Sequence, residues 1–255
     1  MWVGYVITSK DRLLNGELIK MLNSLPNSGM RLVVGCRGFE TTLLPSFITD
    51  AIELPLEISL SDARNILLDF SPSKTDEFVF FPDDDCWFPS GAIKVAEHWL
   101  KKFDFVIGVI DMEGGEYAKI GDGFAIQGKL ALEHTASAAI FARSKALKEF
   151  RFSRALGLGT KFKAGEDLDL VFCMLREGQL GVWTPDLRIG HPKKNRSMEY
   201  FPGSIAALIL NSRKSPLFVF FAIRRLIHGF IYFLTKRLGA PSLSLGLKAF
   251  LLKRR

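Results

Sequence analysis

Three aspartates stand together directly after an apolar stretch. Residues 78–89 read FVFFPDDDCWFP, and Asp83, Asp84 and Asp85 follow residues that leave no polar face. Three ionised carboxylates this close repel one another and are costly unless a cation neutralises them. Oxygen ligands favour a hard ion such as Mg2+ or Mn2+. The triplet therefore indicates a metal site, and a solvated turn that caps the helix starting near Gly91 explains it equally well.

A second acidic group begins a predicted helix, where residues 165–170 read GEDLDL. Acids at a helix N-terminus complement the macrodipole, and Gly178 is a suitable stop, so Glu166 and Asp167 taken alone favour a structural role. His191, also taken alone, is more typical of a structural histidine.

The elements that must position these residues alternate between apolar strands and amphipathic helices. We predict strands at 2–8, 31–34, 77–81, 105–110, 138–142 and 180–183, and helices at 16–25, 60–68, 91–103 and 166–177. This alternation predicts an α/β fold with a mostly parallel central sheet flanked by helices. Ligands of such sheets bind outside the carboxyl ends of the strands, which is where the aspartates fall.

Two glycine-containing segments separate these elements. Residues 114–123 predict hairpin material, and residues 153–164, with Gly157 and Gly159 and little apolar pattern, predict a mobile loop.

Five motifs taken jointly resemble the family 2 glycosyltransferases with the GT-A fold, the nucleotide-sugar enzymes of bacterial surface polysaccharide assembly. They are SDARN at 61–65, FPDDDCWFP at 81–89, LGLGT at 156–160, GEDLDL at 165–170, and His191 six residues after Pro185. The resemblance covers roughly residues 2–192, and it rests on the order and approximate spacing of the motifs, since each motif alone is weak.

The resemblance implies a role for each candidate residue. The metal, Mn2+ or Mg2+, would be held by Asp83, Asp84, Asp85 and His191. The sugar nucleotide would be bound by Thr8, Arg12, Asp62, Arg64, Asn65, Asp83 and Asp84. Asp167 would be the general base, and Glu166 would orient the loop or the acceptor.

The register within the aspartate triplet stays open at this stage. Strand-like alternation favours Asp83 and Asp85 as the pair on one side. Alignment on the Trp-Phe-Pro that follows the triplet makes Asp84 the central ligand instead. The residues after the second strand, 33–37 (VVGCR), carry no acid of the kind that contacts the base in the family, so the base is undetermined.

The implied function is a metal-dependent inverting glycosyltransferase. It would move a sugar from a nucleotide-diphosphate donor to a saccharide or lipid-linked acceptor in cell-surface polysaccharide assembly. One alternative is a membrane-docked, non-catalytic binding or scaffold protein with the same fold. Another is a metal-dependent nucleotidyl- or phosphotransferase, which would need a P-loop or a second carboxylate-bearing strand that the sequence does not provide.

The positive charge is confined to the C-terminal quarter. Residues 1–192 carry 21 Lys and Arg against 26 Asp and Glu, whereas residues 193–255 carry 13 against one. We therefore divide the chain into a catalytic domain, 1–192, and a basic helical extension, 193–255. Residues 218–234 are apolar but are interrupted by Arg224, Arg225 and His228, so they fall short of a spanning helix.

A broad apolar face with basic residues at its rim favours a helix that lies on an anionic membrane. On a helical projection Arg225, His228, Tyr232 and Lys236 form one polar stripe. The alternative is a helical pair packed onto the catalytic domain. Nucleic-acid binding is disfavoured because the sequence contains no recognised module.

Cysteine usage and the N-terminus bear on localisation. Cys36, Cys86 and Cys173 are odd in number and widely spaced, which indicates a reducing compartment. Residues 1–10 lack the features of a signal peptide. We expect a cytoplasmic protein that is peripheral on the inner face of the cell membrane.

Overall fold

The structure is a computed structural model of the 255-residue chain. It describes residues 1–26, 28–74, 77–111, 122–126, 135–192, 201–212, 216–235 and 239–252. The chain forms two compact units. Unit 1 comprises Met1–Ile58, Asp62–Glu149 and Gln179–Lys193, and unit 2 comprises Ser59–Ser61, Phe150–Gly178 and Lys194–Arg255. The domain division that we expect at residue 192 stays a prediction.

Unit 1 is built on one mixed β-sheet. Its strands are β1 (Trp2–Ser9), β2 (Met30–Arg37), β3 (Asp50–Leu54), β4 (Phe78–Phe80), β5 (Phe105–Asp111), β6 (Phe124–Ala125), β7 (Ile140–Arg143) and β8 (Gly181–Gly190). They lie in the order β3-β2-β1-β4-β7-β5-β8-β6. The pairs β1–β2, β2–β3, β1–β4 and β5–β8 are parallel, whereas β7 runs antiparallel to β4 and β5, and β6 runs antiparallel to β8.

The central strands are buried on both faces, which explains their continuous apolar sequences. Phe80 of β4 and Phe141 of β7 are fully buried, and their rings stack with centroids 5.5 Å apart. The indole of Trp2 meets the ring of Phe141 edge-on at 5.8 Å. These aromatic contacts hold β1, β4 and β7 together, and the aspartate triplet follows directly from β4.

The described residues that build unit 1 include four α-helices. They are α1 (Lys10–Leu14), α2 (Glu17–Asn23), α3 (Leu60–Phe70), whose first residues group with unit 2, and α4 (Ala92–Leu100). On α4 the side chains of Ile93, Ala96 and Leu100 are buried at helical spacing, as an amphipathic helix on a sheet requires. The predicted α/β fold, with a central sheet flanked by helices, is confirmed.

Unit 2 is helical in its described part. Its helices are α5 (Glu166–Arg176), α6 (Phe201–Leu210), α7 (Pro216–Leu234) and α8 (Ala240–Lys248). All ten residues of α6 are buried. The bounds of α6 were not predicted, because a short helix that is apolar on every side carries no amphipathic stripe.

One face of α7 packs inside unit 2 and the other is exposed. The ring of Phe218 lies 4.9 Å from that of Phe172 on α5. Arg225 Nε donates to Ser204 Oγ of α6 at 3.2 Å, so this member of the predicted polar stripe contacts a neighbouring helix. Lys236, the last member of that stripe, lies outside the described residues. Among the described helices, none combines the length and the hydropathy needed to cross a membrane.

The segment 153–164 is a closely bonded turn, and the mobility that we expect there stays a prediction. Leu156 and Phe162 are fully buried. The amide of Gly157 donates to the carbonyl of Phe162 at 2.9 Å, and the Thr160 hydroxyl lies within 3.0 Å of three backbone carbonyls of the same turn. Most of the predicted hairpin at 114–123 lies outside the described residues.

Candidate functional site

The aspartate triplet lies at the carboxyl ends of two parallel strands of unit 1. β4 pairs with β1 in parallel, and Asp83 continues this pairing through an isolated bridge to Ile7 near the end of β1. The geometry agrees with the place where open α/β sheets bind ligands. The buried aromatic strand thus presents the carboxylates at this edge of the sheet.

Two of the three aspartates meet His191. His191 Nε2 lies 3.3 Å from Asp83 Oδ2 and 3.2 Å from Asp85 Oδ1. One ligand-type atom from each of the three residues lies within 4.8 Å of the others. Asp85 and His191 are each 7 % exposed, while Asp83 is half-buried. We call this group the Asp-Asp-His cluster.

The imidazole of His191 is oriented by the backbone. Its Nδ1 lies 2.8 Å from the carbonyl oxygen of Pro192 and can only donate a proton to it, which turns Nε2 toward the carboxylates. Burial alone would lower the pKa of His191, but the bonds to Asp83, Asp85 and the Pro192 carbonyl raise this pKa to about 9. Without a metal ion, His191 is therefore a cation at neutral pH.

Two arginines also neutralise the cluster. Arg12 Nη1, on α1, donates to Asp85 Oδ2 at 2.9 Å and also pairs with Glu17. Arg64 Nη2, on α3, lies 3.6 Å from Asp83 Oδ1, and the Arg64 residue is 2 % exposed. Arg12, Arg64 and His191 are far apart in the sequence, and all three contact the aspartates at one edge of the sheet.

Asp84 has a different environment from its neighbours. It is half-buried, and burial raises the pKa of its carboxyl to about 6, against the lowering effects of the Thr8 hydroxyl and Arg12. Among the described residues, the metal-type group contains Asp83 and Asp85 but does not contain Asp84. The geometry therefore favours the register expected from strand alternation.

The donor set of the Asp-Asp-His cluster fits a divalent metal ion. Two carboxylates and one imidazole nitrogen, with the other ring nitrogen bonded to a carbonyl, form an arrangement that commonly holds such ions. The three residues converge within a space that a single ion would span. An ion would have to displace the proton from His191, because a ligating imidazole is neutral.

The SDARN segment divides between the two units. Arg64 contacts the triplet as described above, whereas Asp62 and Asn65 are half-buried on α3. Ser61 is fully buried in unit 2 and donates to the carbonyl of Leu156 at 2.6 Å. Its role is thus to anchor the 153–164 turn.

The second acidic group begins α5 in unit 2. Glu166 is 8 % exposed, and Asp167 is half-buried with its Oδ1 accepting the amide proton of Leu168 at 3.0 Å. A Cβ placed on Gly157 would lie 2.9 Å from Ser61 Oγ and 3.3 Å from the carboxyl carbon of Glu166. Glycine at 157, with φ of 94°, thus lets the turn approach the acidic start of α5 closely.

The same helix carries a buried polar network that was not predicted. Asn211 Nδ2 donates to Asp169 Oδ1 at 2.7 Å, and Asn211 Oδ1 accepts a bond from Arg176 Nη1 at 3.0 Å. Asp169 and Asn211 are both inaccessible to solvent. This network fastens α5 to the end of α6, and no sequence pattern pairs residues 42 positions apart.

Comparison with solved structures identifies the fold. Staphylococcus aureus TarS 1–349 matches with a TM-score of 0.59 and 14% identity over 84% of this chain. The same TarS fragment in complex with UDP-GlcNAc matches equally well. GalNAc-T7 with UDP, GalNAc and Mn2+ matches with a TM-score of 0.53 and 11% identity over 82% of this chain.

These neighbours are GT-A-type glycosyltransferases. The chain has the GT-A fold. It spans 64% of TarS 1–349, 40% of the longer TarS chain and 48% of GalNAc-T7. No protein-family model and no curated protein sequence matches the chain. At 11–17% identity, the similarity shows the fold.

Proposed function

We propose that the chain is a metal-dependent inverting glycosyltransferase of family 2 type. It transfers a sugar, a hexose or a related one, from a nucleotide-diphosphate donor to a saccharide or lipid-linked acceptor in cell-surface polysaccharide assembly. The observation that carries the proposal is the Asp-Asp-His cluster at the carboxyl edge of a GT-A sheet. Among the similar solved structures, TarS 1–349 is in complex with UDP-GlcNAc, and GalNAc-T7 holds UDP, GalNAc and Mn2+. These complexes support a nucleotide donor and a divalent ion for this chain.

Asp83, Asp85 and His191 would hold the ion, which we propose to be Mn2+ or Mg2+. When bound, such an ion offsets the negative charge that develops on the diphosphate leaving group. Arg12 and Arg64 stand beside the same carboxylates and supply further positive charge for donor phosphates. The Thr8 hydroxyl and the Asp84 carboxyl are hydrogen-bonded to each other at the same edge, and we include both in the donor site. Asp62 and Asn65 on α3 complete the proposed donor-binding residues.

The acceptor hydroxyl needs a general base, and we assign this role to Asp167. The first turn of an eleven-residue helix is a rigid position for a carboxylate, and α5 is held further by the bonds of Asn211 and Arg176. Glu166, buried beside Gly157, orients the turn or the acceptor. One base with direct attack inverts the anomeric centre.

The experiment that tests this proposal is a screen of nucleotide-sugars with Mn2+, reading thermal stabilisation and slow donor hydrolysis. We expect metal-dependent stabilisation by one nucleotide class and release of its diphosphate. Asp83→Asn and Asp85→Asn should each weaken Mn2+ binding by roughly 100-fold or more, since even indirect partners of a metal matter by about 10- to 100-fold. Asp84→Asn is the matched control and should retain most of the affinity.

Three results would decide among the alternatives. Release of nucleoside monophosphate or transfer of phosphate would indicate a nucleotidyl- or phosphotransferase. Nucleotide binding without turnover for any donor would favour a non-catalytic binding or scaffold protein. Equal loss of Mn2+ binding in all three aspartate variants would reject the proposed ligand set.

We further propose that unit 2 binds an anionic membrane through α7 and α8, which makes the protein peripheral on the membrane. Large apolar side chains are exposed along α7, within α8 and just after α8: Phe220, Ile223, Ile227, Phe230, Ile231, Leu234, Leu247 and Leu251. Arg224 and His228 are exposed on the same helix, and 13 of the chain's 34 Lys and Arg fall after residue 192. Exposed apolar surface beside basic groups is the arrangement of helices that lie in the headgroup region.

Vesicle sedimentation tests the membrane proposal. Ile223→Ser and Ile227→Ser should each weaken binding to phosphatidylglycerol vesicles by roughly 10-fold, the effect of about 1.4 kcal/mol of lost apolar burial. Phe47→Ser, which changes a 68 % exposed side chain of unit 1, is the control and should leave binding intact. Unchanged vesicle binding in the α7 variants, or a concentration-dependent dimer that they abolish, would mean that another protein surface covers this face.

A further inference from the structure

A short backbone bridge connects the two segments that carry the Asp-Asp-His cluster. The amide of Trp87 donates to the carbonyl of Gly190 at 2.9 Å, and the amide of Gly190 donates to the carbonyl of Trp87 at 2.8 Å. Trp87 follows Asp85 by two residues, and Gly190 immediately precedes His191. This antiparallel bridge therefore fixes the distance between the aspartate turn and the histidine.

The bridge depends on the missing side chain at residue 190. A Cβ on Gly190 would overlap three atoms of the Trp87 indole, at distances that non-bonded atoms do not reach. The φ of Gly190 is not positive, so glycine is needed there because a side chain would clash with the indole, and not because of the backbone conformation. The Lys20 ammonium lies 4.8 Å from the centroid of the same ring and adds to the packing around it.

The strand that ends at Gly190 is fixed from its other side too. Gly190 pairs with Asp111 of β5, and the amide of His191 donates to the carbonyl of Asp111 at 3.2 Å. A side chain at residue 190 must therefore displace either the indole with its aspartate turn or the end of β8 with His191. Either movement separates Asp83 and Asp85 from the imidazole, whereas a metal site needs ligand distances within about 0.2 Å of their usual values.

We propose that Gly190 is a positioning residue that sets the divalent-metal affinity of the Asp-Asp-His cluster through its bridge to Trp87. This inference rests on the proposed metal site. Gly190 would not touch the ion, and its effect passes through the backbone to the flanking ligands.

The chain offers a matched control at the other end of the same strand. A Cβ on Gly181, the first residue of β8, would overlap the ring of Phe105 in the same way. Gly181→Ala thus imposes a similar aromatic clash on β8, nine residues away from Gly190. A purely structural role of Gly190 predicts equal effects of the two substitutions.

The test is calorimetric titration of the full chain with Mn2+ alone, accompanied by thermal melting. We expect Gly190→Ala to weaken Mn2+ binding by roughly 10- to 100-fold, the effect typical of residues that orient metal ligands. Gly181→Ala should lower the melting temperature without weakening Mn2+ binding. Trp87→Ala keeps both backbone bonds and removes the obstacle, so Gly190→Ala combined with Trp87→Ala should bind Mn2+ as tightly as Trp87→Ala alone.

The double variant keeps the test decisive even where Gly190→Ala alone does not fold. Three results would each overturn the inference while leaving the metal site in place. They are wild-type Mn2+ affinity in folded Gly190→Ala, an equal loss of Mn2+ affinity in Gly181→Ala, and a double variant that binds Mn2+ more weakly than Trp87→Ala alone. Absence of Mn2+ binding to the wild-type chain would overturn the proposed metal site together with this inference.

Discussion

The pH dependence of stability should report the contact of His191 with its two carboxylates in the metal-free protein. The perturbation is His191→Gln, which keeps a polar side chain but removes the titratable group. The pKa of His191 is raised to about 9 in the folded chain, from an ordinary value of 6.5. The contact therefore stabilises the protein fully below about pH 6.5, and its contribution is lost as the pH rises through about 9.

The magnitude follows from the difference between the two pKa values. Each pKa unit corresponds to about 1.4 kcal/mol, so a rise from 6.5 to about 9 is worth roughly 3 kcal/mol of unfolding free energy. For a chain of this size, 1 kcal/mol corresponds to about 2–4 °C in melting temperature. We expect the wild-type advantage over His191→Gln to shrink by roughly 6–12 °C between about pH 6 and about pH 10.

The assay is urea unfolding and thermal melting of both proteins across this pH range with a chelator present. Subtracting the two profiles removes the titration of all other groups. His98→Gln controls for the substitution itself, because that ring packs edge-on against Trp99 at 5.4 Å and not against the carboxylates. Parallel pH profiles of the wild type and His191→Gln would refute the reasoning, because they would mean that His191 does not hold a proton between Asp83 and Asp85.

Three further predictions concern the base and the helices of unit 2. Asp167→Asn should reduce turnover by on the order of 100-fold while leaving Mn2+ and nucleotide binding nearly unchanged, and full transferase activity would reject the assignment. Asn211→Ala removes a donor from buried Asp169 and should cost about 1–3 kcal/mol in urea unfolding, so a neutral result would mean that the network is dispensable. Gly203→Ala places a methyl group against the carbonyl of Ala164 and should destabilise the protein by about 1–3 kcal/mol. Gly239→Ala is the control and should cost less, because its added Cβ meets only Pro241 Cδ at 3.6 Å. Equal losses of stability in the two variants would contradict the packing argument.

Local patterns predicted the elements around the site. Continuous apolar runs gave β1, β4 and β5 within one or two residues, and the periodic stripe followed by Gly178 gave α5. Gly178 ends that helix with a φ of 78°, as a left-handed stop requires. The sequence left two registers open for the triplet, and the structure groups Asp83 and Asp85, the pair that strand-like alternation favours.

The features that sequence could not predict depend on distant pairings. β8 runs to Gly190, well past the predicted strand, because its pairing with β5 resumes at Arg188 after an irregular stretch. The bridge between Trp87 and Gly190 joins two segments with no shared motif. α6 has no polar face, so its role in holding α5 becomes visible only from the contacts of Asn211.

The charge balance around the triplet explains how three adjacent carboxylates are tolerated. Arg12, Arg64 and His191 supply three positive charges when the imidazole is protonated. Protein groups therefore offset much of the negative charge of the triplet without an ion. Exchange of the His191 proton for a divalent ion would raise the charge of this edge by one while both arginines stay in place. A nucleotide diphosphate is anionic, so the ion and the donor would favour each other's binding by the same factor, as linkage requires.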